Sequence, residues 1–149
     1  MNHFYFFIFL FIILISCNTN TFDNKIINKI ENTCKENSCL VKIKDLTNFD
    51  WENMYVFKYN ATFEEISKAI GIAPPHYKEF TRKIIFTLNE KIVYFEEEKA
   101  NIEGLIDNEV VFDIPDSVNF KKYTLQNAIF KTYKKEYKNG NYYEMKQIP

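Results

Sequence analysis

The chain has 149 residues, 19 basic and 20 acidic side chains, a net charge of −1 and 17% aromatic residues. That length suits one domain with its own core, and the balanced charge argues against a nucleic-acid partner and against a charge-driven peripheral membrane contact. Three isolated glycines, Gly71, Gly104 and Gly140, exclude a phosphate-cradling loop.

Phe4 to Ile15 is an uninterrupted apolar run. As a helix it reaches ~18 Å, short of the ~30 Å hydrocarbon core of a bilayer, so it matches the hydrophobic region of an export signal better than a permanent span. Leu14-Ile15-Ser16-Cys17 follows and resembles the bacterial lipobox. The resemblance implies a lipoprotein signal peptide over residues 1–16, cleavage between Ser16 and Cys17, and a diacylglycerol on the Cys17 thiol. Residues 17–21 then form a tether and 22–149 a single domain. The extreme N-terminus, Met1-Asn2-His3, departs from the export pattern in lacking Lys and Arg. The alternatives are an uncleaved anchor and a signal for soluble secretion. Asn18 is not the Asp that typically retains lipoproteins at an inner membrane. The expected location is therefore the cell envelope: the outer membrane of a Gram-negative host, or otherwise the outer face of the plasma membrane.

In the folded part, Ile26, Ile27 and Ile30 lie at helical spacing behind Asp23, the expected cap. Export places Cys34 and Cys39 in an oxidising compartment, where a pair favours a disulfide. A straight strand would hold the two Cα atoms ~16 Å apart against the ~4.4–6.8 Å a disulfide needs, so the segment has to turn. Free thiols remain an alternative. A metal site is disfavoured because His76 is the sole histidine after the signal, and zinc wants about four N/S ligands.

Val41 and Ile43 alternate with Lys42 and Lys44 as a half-buried strand, and Met54 to Phe57 forms a compact apolar strand. Thr62 and Glu65 make a capping box; Phe63, Ile66 and Ile70 share a face, and Gly71 marks the helix end before Pro74 and Pro75. Ile84, Phe86 and Leu88 alternate on one arm of a hairpin around Asn89-Glu90, with Val93 and Phe95 on the other. Glu109 to Pro115 gives a short strand, and Asn139-Gly140 signals a last hairpin with arms rich in Tyr and Phe. The expected class is α+β, short helices packed on a mainly antiparallel sheet.

Candidate chemistry is sparse. No recognisable motif surrounds His76, and no serine lies in a nucleophile motif. Glu96-Glu97-Glu98 with Asp107 and Glu109 lacks the spacing of a calcium loop and fits a charged strand end that discourages edge pairing. Tyr133, Tyr137, Tyr142 and Tyr143, interleaved with lysines, suggest a basic-aromatic face for a partner, against the alternative of a solvated sheet face. Trp51 is expected to anchor a strand to the core.

Phe49-Asp50-Trp51 through Met54-Tyr55-Val56-Phe57, with Ala61-Thr62, Glu64-Glu65-Ile66 and Ile70-Gly71, resembles a segment of small, uncharacterised bacterial lipoproteins. The capped helix is also similar to one in outer-membrane assembly lipoproteins of the SmpA/OmlA type, where helices precede the sheet; here a strand comes first. The expectation is a lipid-anchored, non-enzymatic binding module with no cofactor or catalytic residue, membrane-bound through its lipid and contacting another envelope protein. The alternatives are an inhibitor or immunity-type lipoprotein acting through the loop Gly71 to Tyr77, and an enzyme centred on His76.

Overall fold

The described residues form two four-stranded sheets, a helix packed against both of them and a second helix on one outer face. The computed structural model describes residues 21–34, 38–99, 107–137 and 140–148. The expected signal peptide, Ser16 and Cys17 lie outside the described residues, as does Asn139 of the last hairpin. In chain order the elements are α1 (Phe22–Thr33), β1 (Ser38–Lys42), a 3-10 turn (Ile43–Leu46), β2 (Asn53–Phe57), α2 (Phe63–Ile70), β3 (Thr81–Leu88), β4 (Lys91–Lys99), β5 (Glu109–Phe112), β6 (Phe120–Thr124), β7 (Ile129–Tyr137) and β8 (Gly140–Gln147). The front sheet runs β1-β7-β8-β5 and the back sheet β4-β3-β2-β6. The described neighbours are antiparallel except β5 and β8, which pair in parallel. The domain is α+β, as the sequence suggests.

The front sheet alternates cleanly. Val41, Phe130, Thr132, Tyr143, Met145, Val110 and Phe112 point inward and are buried. The back sheet is buried on both faces, which explains why β2 is apolar from Met54 to Phe57. Met54, Val56, Ile84 and Phe86 meet the front sheet and α1, whereas Tyr55, Phe57 and Ile85 meet Ile66 and Ile70 of α2. Phe86 gathers aromatic neighbours edge-on, with Trp51 at 5.1 Å and Phe22 at 5.2 Å between centroids. Each such fully buried side chain contributes about 1.5–3 kcal/mol. Trp51 is the expected anchor, and its indole N–H donates to Thr47 Oγ1 at 3.0 Å.

Several local expectations shift. Thr21, not Asp23, caps α1, accepting from the Asn24 N–H at 3.2 Å; Asp23 is turned inward and buried. Ile43 leaves the strand for the 3-10 turn but stays buried. Phe63 is half out of the α2 face, its ring edge-on to Tyr77. A bulge opposite Phe86 and Thr87 drops Val93 out of the ladder and into solvent, so Tyr94 faces the main core while Ile92 and Phe95 face α2. Asn89 and Glu90 both adopt positive φ, as a two-residue hairpin turn requires. Gly140 pairs with Tyr137 at the start of β8, and a Cβ there would lie 2.6 Å from Asp107 Oδ1, so close approach is what demands glycine. The edge strand β6 has no clear sequence signal: the adjacent Lys121 and Lys122 break any apolar alternation before the buried Tyr123.

Cys34 and Cys39 are joined, Cα atoms 5.4 Å apart, tying the end of α1 to β1. Closing so short a loop contributes about 2 kcal/mol in the chain-entropy account. The double variant Cys34→Ser/Cys39→Ser should therefore unfold in urea with about 2 kcal/mol less stability. Reductant should shift the parent by a similar amount and leave the variant unmoved; an unmoved parent would contradict the role.

Candidate functional site

The β3–β4 hairpin splits its charges between two faces. Arg82 pairs with Glu98, Lys83 with Glu97 and Ile84 with Glu96, so alternation sends Arg82, Glu96 and Glu98 inward and Lys83 and Glu97 toward α2. The three glutamates stand near the end of the edge strand β4, as expected of a charged strand end, and each also holds a partner within the fold.

Inward, Arg82 Nη2 donates to Asp23 Oδ1 at 2.6 Å and Glu98 Oε2 at 3.2 Å, and Nη1 donates to the Val110 carbonyl. One guanidinium thus joins α1, β4 and β5. Glu96 accepts the Phe22 N–H at 2.9 Å on each oxygen and also the Tyr94 hydroxyl. The carboxylates of Asp23, Glu96 and Glu98 lie within 4.8 Å of one another. Oxygen donors so placed suit a hard cation, but here the guanidinium already supplies the positive charge, and the set carries no metal assignment. Burial raises Asp23 to about 7, with Glu98 adding to the rise and Arg82 opposing it. Burial alone would lower the Arg82 pKa, but Asp23 and Glu98 more than offset it and the net shift is upward.

On the other face Lys83 is fully buried. Its ammonium donates to Lys78 O at 2.8 Å, and to Thr81 O and Oγ1 at 2.9 Å each. It lies 4.6 Å from the Tyr77 ring centroid and 3.8 Å from Glu97 Oε1. Burial lowers its pKa and Glu97 opposes the shift. With its three protons spent, this lysine has neither a free amine nor an approach path for nucleophilic chemistry. Glu97 in turn accepts the Lys78 N–H at 2.8 Å and meets His76 Nδ1 at 3.0 Å. His76 is exposed, as expected of a loop histidine, and its ring stands edge-on to Phe95 at 4.5 Å. Among the described residues no hydroxyl or thiol joins the His76–Glu97 pair, which holds the loop Gly71 to Tyr77 against β4. Phe80, directly before β3, is exposed and at φ 55°.

The front sheet presents the remaining chemistry. Leu40, Lys131, Tyr133, Lys135, Tyr142, Glu144 and Lys146 alternate with the buried set and point outward. The Lys131 and Lys146 ammonium groups stand 5.3 and 5.8 Å from the Tyr133 ring centroid. Glu144 lies between Lys135 at 2.7 Å and Lys146 at 3.7 Å. Of the four tyrosines expected on one face, Tyr133 and Tyr142 are there. Tyr143 is not: it is buried on the inner face, where its hydroxyl donates to Glu31 of α1. A one-position offset in the strand puts it opposite Tyr142. Tyr137 is in the ladder, and its side chain lies outside the described part. A cleft of about 330 Å³ beside the 3-10 turn, lined by Lys44, Phe49, Trp51 and Leu125 among others, gathers no titratable cluster.

No family profile, curated protein or solved structure matches the chain. No helix among the described residues is long and apolar enough to cross a membrane.

The Asp23 environment has a pH signature. A carboxyl raised by burial favours the fold while protonated, so its contribution is complete below the unfolded value of 3.8 and is lost as pH climbs through about 7. Asp23→Asn keeps an oxygen for Arg82 and removes the titration. Its stability, measured by urea unfolding between pH 4 and 8, should fall less with rising pH than the parent's; parallel curves would contradict the assignment.

Proposed function

We propose that the protein is a lipid-anchored component of the bacterial cell envelope, a non-enzymatic binding module that presents the outer face of its front sheet. The observation that carries the reading is how the charged groups are used. Arg82, Lys83, Glu96, Glu97 and Glu98 are consumed by internal contacts, whereas Lys131, Tyr133, Lys135 and Lys146 stand on a sheet face that no described helix covers. Aromatic rings flanked by cations are recognition chemistry, and they do not constitute an acid–base or nucleophilic set.

The anchor is supported by Leu14-Ile15-Ser16-Cys17, which ends only five residues before α1 begins at the buried Phe22. A single acyl chain binds a membrane marginally, and two or three hold firmly. The disulfide between Cys34 and Cys39 agrees with export into an oxidising compartment. In a Gram-negative host, Asn18 favours the outer membrane. Metabolic labelling with palmitate should mark the parent and not Cys17→Ser, which should accumulate as an unprocessed precursor. Equal labelling and processing of both chains would refute the anchor.

A further inference from the structure

The balanced total charge hides a segregation. Residues 1–116 carry 12 basic and 18 acidic side chains, and residues 117–149 carry 7 basic and 2 acidic. The last two strands, β7 and β8, put Lys131, Lys135 and Lys146 on one flat face with Tyr133, Tyr142 and the neighbouring Leu40, which is 58% exposed. Glu144 offsets one of these lysines. We propose that this face rests on an anionic lipid surface, the leaflet that carries the Cys17 anchor. The proposal builds on the anchored reading above.

Three observations converge on that occupant. The charge is complementary to acidic headgroups, and the pattern is lysine stems alongside tyrosine rings, the amphipathic side chains that settle at headgroup level. The tether is short. From Cys17 to Thr21 the chain reaches about 15 Å at most, and it enters the fold at α1, whose first residues are held by Glu96 and Arg82 of the back sheet and, through Arg82, by the Val110 carbonyl of the front sheet. The domain therefore stands within reach of the leaflet, and the charge of the front face decides which side meets it. Finally, Lys131 flanks the Tyr133 ring, and Lys135 and Lys146 share the single carboxylate of Glu144, so these four charged side chains leave net positive charge for headgroups.

The test reads lysine accessibility in the full-length lipidated protein, reconstituted into vesicles of phosphatidylcholine alone or of phosphatidylcholine with phosphatidylglycerol as a minority component. Acetylation by an amine-reactive reagent is followed at each lysine by mass spectrometry. Lys131, Lys135 and Lys146 should react about fivefold more slowly on the anionic vesicles, with high salt abolishing the difference. Lys68 on α2 and Lys91 at the β4 hairpin should react alike on both. Equal rates on the two vesicle types overturn the proposal, and so does equal protection on both, which is the mark of a protein or a second copy seated on the face. Intact mass of the same sample reports the Cys17 lipid separately. If that mass is absent the anchor reading falls, and the lysine ratio with vesicles in excess still decides the face.

Discussion

The fork of Arg82 is the join on which the architecture depends. A guanidinium taken from water is costly to bury, and it persists here because Asp23, Glu98 and the Val110 carbonyl accept its protons together. Those acceptors belong to α1, β4 and β5, so one side chain pins the helix to both sheets. Glu96 completes the join by holding the first amide of α1, an N–H that a helix cannot satisfy by itself. Removing one partner would strand the others in a buried site, which makes the cluster a structural lock in preference to a catalytic centre.

That lock determines what is left for function. With α1 committed to the gap between the sheets and α2 to the back, no described helix covers the outer face of the front sheet. The second polar cluster works in the same way on a smaller scale: Lys83 and Glu97 fasten the loop that carries Tyr77 and His76 onto the back sheet. Both clusters look like chemistry when residues are counted and like fasteners when partners are traced. The lysines and tyrosines on the outer side of β7 and β8 stay addressable from outside, which is why the proposed function rests on them.

Local signals were legible where one stretch of chain settles its own structure. The Thr62–Glu65 capping box, the Gly71 stop and the Asn89-Glu90 turn all depend on neighbours in sequence, and each is found in place. The α+β class followed from the same periodicities. What depended on distant partners was not legible. Asp23 has the position of a helix cap, and only the approach of Arg82, 59 residues on, turns it inward. Glu96, Glu97 and Glu98 form one acidic run in sequence and three different contacts in space. Tyr143 and Tyr142 are adjacent in the chain and lie on opposite faces, so the face was drawn one residue too wide. Val93 was lost to a bulge that alternation cannot foresee. Arg82 itself stood out in no sequence pattern, because its importance lies wholly in what it touches.

Urea unfolding of Arg82→Met tests the claim that this side chain joins the fold. The account predicts a loss of about 3–5 kcal/mol, the cost of leaving buried carboxylates unpaired. A loss below about 1 kcal/mol, the range of an exposed ion pair, would contradict it.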